Sequence, residues 1–109
     1  MAQELQEQVK QALMDPSFRA DTLAQLEKDF QRCGLTLNTS DLNNLLYSIE
    51  SCLALVSRAQ LQQLIYLIDI PETLFRSLSQ KVNFHKDLSE VILMREALKV
   101  YLRSKLKSE

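Results

Sequence analysis

The sequence predicts an all-α fold, a compact single-domain bundle of five or six short helices spanning residues 1–109. Three observations lead to it. One glycine and two prolines in 109 residues leave too few turn-formers for a sandwich or barrel, whose strands must reverse every roughly 8–12 residues. Leucine and glutamine, both good helix formers, dominate the composition instead. Along most of the chain the apolar residues recur three and four apart, the period of a helix with one buried face. A chain of this length can bury its own core without metals or crosslinks. With 46% hydrophobic and 25% charged residues, it lies far from the apolar-poor composition of disordered chains.

Leu5, Val9, Ala12 and Leu13 mark a short amphipathic helix within residues 1–14, at a terminus prone to fray. The tract "DPSFRADTLAQLEKDFQRCGL" defines the clearest element, a helix over 16–33. Phe18, Leu23, Leu26, Phe30 and Cys33 form its stripe. Asp15 is placed to cap it, Pro16 sits where its missing N–H costs nothing, and Gly34 supplies the left-handed stop. Leu35 is then expected to fold back onto Phe30. In "LNTSDL" Asn38 can cap, Asp41 can reach back from the third helical position, and Leu37 can staple onto Leu42. A third helix over about 39–56 follows, with Leu42, Leu45, Leu46, Ile49, Leu53 and Val56 on one side.

Ser57 and Gln60 have capping-box spacing, so the chain turns a corner there without glycine or proline. The helix that follows becomes apolar on every side from Leu64 to Ile68, which predicts a buried, central element. In "LIYLIDIPETLF" Asp69 stands three residues before Glu72 with Pro71 between them, the pattern of a second capping box in which Asp69 starts the next helix. That helix presents Leu74, Phe75, Leu78 and Val82, with Glu72 and Arg76 spaced for an ion pair. Asp87 and Glu90 fit a further capping box. They open a last helix over about 88–107 that buries Leu88, Val91, Ile92, Leu98, Tyr101, Leu102 and Leu106.

Thirteen basic and fourteen acidic side chains give a formal charge of -1, so no bulk field draws the protein to nucleic acid or an anionic membrane. Residues 1–54 hold four cations against eight anions, and residues 55–109 nine against six, a mild asymmetry of the kind solvated helix faces produce. No basic leader precedes an apolar stretch, and no window approaches the ~20 apolar residues of a membrane span. A soluble, cytoplasmic protein is expected, with Cys33 and Cys52 as reduced, small apolar residues.

The chemistry-bearing residues are few. One histidine and two separated cysteines exclude the close N/S spacings of structural zinc. A single glycine excludes a phosphate-cradling loop. No cofactor or metal is therefore expected, and His85 reads as a surface or capping residue in the "NFHKD" junction. Catalysis by a cysteine with His85 has no spacing to recommend it, so the protein is expected not to be an enzyme. A candidate basic patch, Lys99, Arg103, Lys105 and Lys107, lies on the last helix beside Tyr101. The helix dipole, which favours cations at a C-terminus, already accounts for it. Arg95 is the anomaly, because it falls on the stripe joining Leu88 to Leu102 and needs a carboxylate if buried there. Asp69 is the candidate partner, with Glu72 and Glu50 behind it; the alternative is an Arg95 that snorkels to water. A protein-interaction or self-association module, presenting a helix face or groove to a protein partner or a second copy, is the expected function. The alternatives are a nucleic-acid-binding protein using the basic C-terminal helix and an enzyme with an interhelical pocket.

Overall fold

A computed structural model of the chain describes residues 2–37 and 44–107. Six helices and no strands are present among the described residues: α1 (Ala2–Ala12), α2 (Pro16–Arg32), α3 (Leu45–Leu53), α4 (Arg58–Ile68), α5 (Glu72–Ser79) and α6 (Phe84–Lys107). The all-α, single-domain reading is thus correct. A radius of gyration of 13.6 Å compares with about 13 Å expected for a compact chain of this length.

Local chemistry sets several of the boundaries. The Asp15 carboxylate accepts from the Ser17 amide with Pro16 in the first turn, so two of the free N–H positions at the start of α2 need no other partner. At the other end Gly34 takes φ 74°, and the Leu35 amide returns to the Phe30 carbonyl; Leu35 and Phe30 share one core. Ser57 and Gln60 form both bonds of a capping box. The same Gln60 also donates its Nε2 to the Cys33 carbonyl at 3.3 Å, which ties the start of α4 to the end of α2.

Two boundary expectations need correction, at Asp69 and at the "NFHKD" junction. Asp69 does not cap α5. It closes α4 in the left-handed conformation, φ 64° and ψ 49°, with the Ile70 amide bonded to the Ile65 carbonyl. Pro71 stands at the start of α5, which has no side-chain cap; aspartate tolerates the left-handed region well enough to replace glycine at such a stop. Helix α3 spans Leu45–Leu53, with Asn44 before it at φ -131° and ψ 47° and no side-chain cap; the helix start read at Asn38, Asp41 and Leu42 lies outside the described residues. The "NFHKD" junction is helical too, because α6 starts at Phe84 and the Asp87 amide bonds to the Asn83 carbonyl. The sequence places the start of this helix at about 88, after a loop; four more residues, 84–87, form its first turn.

The expected centre is displaced as well. Only Leu64 and Ile68 of α4 are buried, while Tyr66 is 85% exposed. Helix α6 is the hub, since α1, α2, α3, α4 and α5 all pack against it and the other substantial contact is α2 on α4. A 24-residue helix about 36 Å long is the one element able to touch every other. Leu88 and Ile92 of α6 share one core with Leu26, Phe30, Ile49, Leu53, Leu64 and Ile68, and Ala97 and Val100 are buried as well. Leu102 and Leu106, expected inside, are exposed, although the neighbouring Tyr101 and Arg103 reach Gln8 of α1 and Gln25 of α2.

Candidate functional site

Among the described residues the interior contains five polar ones: Thr22, Asp29, Ser48, Ser89 and Glu96. Three explain themselves. Thr22, Ser48 and Ser89 donate their hydroxyls to the carbonyls of Phe18, Asn44 and His85, one turn back in each case, the usual way a buried hydroxyl is satisfied inside a helix. Asp29 and Glu96 remain, a pair of ionisable groups facing one another across the α2–α6 seam.

The Lys99 ammonium is 3.1 Å from Asp29 Oδ2 and 2.8 Å from Glu96 Oε1. Gln25 Nε2 donates to Asp29 Oδ2 at 3.1 Å, and Arg103 donates to Gln25 Oε1 at 2.6 Å. The Glu96 side chain is 0% exposed, and neither of its oxygens accepts a hydrogen bond; the close Lys99 acts on it through charge, at an angle outside hydrogen-bond geometry. Two buried carboxylates against one ammonium leave a net negative charge in the interior, which is costly. A proton on Glu96 removes that charge and makes Glu96 a donor to Asp29. The electrostatics agree in sign. Burial, then the Asp29 carboxylate, push Glu96 up to about 8 against the opposing pull of Lys99. Burial also pushes Asp29 up, but the hydrogen bonds from Glu96, Gln25 and Lys99 and the Lys99 charge outweigh it and hold its carboxyl below the ordinary value. Lys99 is lowered by burial and raised more strongly by its two acids.

On the opposite side of α6 lies a groove of about 830 Å³. Met94 and Glu96 are two residues apart, which is about 200° around a helix, so α6 turns one face to the charge cluster and the other to this groove. Val91, Met94 and Leu98 form its floor, Leu5 and Val9 of α1 one wall, and Leu46 and Leu78 the remainder. Lys10 and Lys81 stand on the walls, with Asp87 and Glu90 at the N-terminal end of the floor. Among the described residues no histidine, cysteine, serine or threonine lines it.

The residues singled out in the sequence separate in space. Arg95 and Asp69 do meet: Arg95 donates to the Asp69 carbonyl at 2.6 Å and lies 3.3 Å from Oδ2. The pair is not buried, however, since the two side chains are 36% and 92% exposed. Arg95 sits at the edge of the stripe and carries its guanidinium outward. Glu72 pairs instead with Arg76 at 2.7 Å. The members of the candidate basic patch meet different partners. Lys99 is held in the interior cluster, Arg103 bonds to Gln25, Lys105 stands 5.5 Å over the Tyr101 ring, and the Lys107 side chain is outside the described residues. His85 is exposed in the first turn of α6, against the Phe84 ring. Cys33 and Cys52 are free thiols, both raised by burial and therefore poorly nucleophilic. Among the described residues no group of acids, histidines and cysteines is placed to hold a metal, and no helix is long and apolar enough to cross a membrane.

Glu96 was missed, although its position carried a signal. It lies four residues after Ile92 and four before Val100, with Ala97 beside it, on the inner line of the helix. Asp29 is likewise three residues after Leu26 and next to Phe30. The chain matches no protein-family model, no curated protein and no solved structure.

Proposed function

We propose that this protein is a non-enzymatic interaction module whose groove along α6 receives an amphipathic helix of a partner protein. The observation that carries this reading is the groove's shape and lining. It follows α6 from Asp87 to Leu98, about 16 Å or three helical turns, and its floor repeats apolar residues at the spacing of a helix-binding seam. Apolar anchors at i, i+3 or i+4 and i+7 are what such a groove accepts. Met94 adds an unbranched, polarisable side chain that adapts to the anchor it meets. The charges define the rest of the ligand: carboxylates along the helix flanks to face Lys10 and Lys81, and a base at one end to face Asp87 and Glu90. The free Cys33 and Cys52 fit a reducing, cytoplasmic setting. The nucleic-acid alternative draws less support, because Lys99, Arg103 and Lys105 are engaged with the protein's own side chains.

A displayed library of helical peptides, selected on the folded protein and mapped by amide chemical shifts, tests the reading. Selected peptides are expected to carry an apolar stripe with acidic flanks and to shift Val91, Met94 and Leu98. Met94→Glu is expected to weaken them by about thirtyfold or more, the cost of a charge at the centre of an apolar contact, while Tyr66→Glu on the exposed side of α4 leaves them unchanged. Peptides that bind elsewhere, insensitivity to Met94→Glu, or a dimer in solution that buries this groove would each overturn it.

A further inference from the structure

We propose that Asp29, Glu96 and Lys99 form a proton-loaded clamp between α2 and α6, closed while Glu96 holds its proton and loosened when alkalinisation removes it. The geometry supports this independently of any titration. Among the described residues every buried hydroxyl is satisfied within its own helix, and the one buried charge cluster crosses between two helices. The Asp29 carboxylate accepts from Gln25 of its own helix and from Lys99 of α6, and the same Lys99 ammonium lies 2.8 Å from Glu96 Oε1, so two carboxylates from two helices converge on one cation. Glu96 has no hydrogen-bond partner while ionised, only the off-line charge of Lys99. A single added proton turns an orphaned anion into the hydrogen-bond donor that joins the two helices. Removal of that proton restores two like charges in contact, with one ammonium shared between them.

The groups that bear on Glu96 are Asp29 from α2 and Lys99 from α6 itself; no ionisable side chain of α1, α3, α4 or α5 contributes among the described residues. Lys99 is 36% exposed and gives the cluster its route to water, so the proton can leave without global unfolding. The sign follows from where the protons are. Glu96 is raised from 4.5 to about 8, so between those values the folded state holds a proton that the unfolded state has lost. Folding stability is therefore highest, as regards this group, below 4.5, falls through that interval, and levels off above about 8. Asp29, whose carboxyl is lowered, contributes in the opposite direction only below its ordinary value, and Lys99, which is raised, only at strongly alkaline pH. The interval therefore belongs to Glu96.

Urea unfolding of the full chain at a series of pH values, beside Glu96→Gln, reads the clamp. For the native protein the folding equilibrium constant is expected to fall between about pH 5 and 8, approaching tenfold per pH unit, the limit for one proton. Glutamine stays neutral and still donates to Asp29, so the Glu96→Gln protein is expected to lose that slope. Amide exchange corrected for pH is expected to accelerate in α2 around Asp29 and in α6 around Glu96, but not in α5. A flat native profile, or the same slope in both proteins, overturns the proposal. A direct readout needs no variant: the side-chain carboxyl carbon shift of Glu96 is expected to titrate near 8, and titration near 4.5 overturns the proposal even if Glu96→Gln does not fold.

Discussion

Arg95 and Glu96 are neighbours on one helix, and they meet opposite fates. Arg95 carries its charge outward to Asp69 at the surface, whereas Glu96 is enclosed completely and meets Asp29 and Lys99 in the interior. Both arrangements are ion pairs by distance, yet physically they differ. At the surface water solvates whatever the partner does not, so the pair is worth little and its loss costs little. In the interior no solvent substitutes for a missing partner, and the cost of a wrong charge state sets the behaviour of the whole cluster. Helix α6 separates the two by about 100° of rotation, and that rotation, more than the residue types, decides which of them affects folding.

The difference is broken most strongly by Lys99→Met. It removes the one cation of the cluster and leaves Asp29 buried without it. A loss of about 3 kcal/mol at neutral pH is expected from urea midpoints, at the low end for broken buried pairs because Lys99 is partly open to solvent. Met covers much of the same apolar surface as the lysine stem, so a near-neutral result would show that the ammonium contributes nothing and that the cluster is held by hydrogen bonds alone. Next in size is Arg95→Met, the same chemical change at the adjacent surface site. A loss of less than about 1 kcal/mol is expected, with most of it from the 2.6 Å bond to the Asp69 carbonyl. Equal losses in the two variants would erase the distinction drawn between them.

Much of the fold was legible because the chain marks its corners with local chemistry. Asp15, Pro16 and Gly34 bound α2, and Ser57 with Gln60 opens α4, each through backbone groups within a few residues. What depends on the third dimension was less readable. "LIYLI" is apolar in every direction, yet Tyr66 faces water, because a run of apolar residues does not reveal how many sides the tertiary structure covers. The same limit hid the groove, whose walls come from α1, α3 and the end of α5 as well as α6. Arg95 drew attention as a charge on an apolar line drawn through Leu98 and Leu102, but the inner line of α6 runs instead through Ile92, Glu96 and Val100. A helix packed on several sides has more than one apolar stripe. Choosing among them requires the partner helices, and Asp29 is 67 residues away from Glu96 in the chain.

The smallest expected effect lies at Asp69, where opposing terms nearly cancel. Its left-handed backbone, φ 64°, costs an aspartate on the order of 1 kcal/mol that glycine avoids. Asp69→Gly relieves that strain but gives the unfolded chain more freedom to lose on folding, and it deletes the Oδ2 contact with Arg95 at 3.3 Å. The carbonyl bond to Arg95 is a backbone feature and survives the change. A net shift within about 0.5 kcal/mol of zero is therefore expected in thermal or urea unfolding. Asp69→Ala separates the terms, because alanine loses the same carboxylate and keeps the strain, and lacks the local hydrogen bonding by which aspartate tolerates the left-handed region. It is expected to fall about 1 kcal/mol below Asp69→Gly. If both variants instead lose equally, the carboxylate contact with Arg95 outweighs the backbone geometry, and the surface pair would have to be ranked with the interior one.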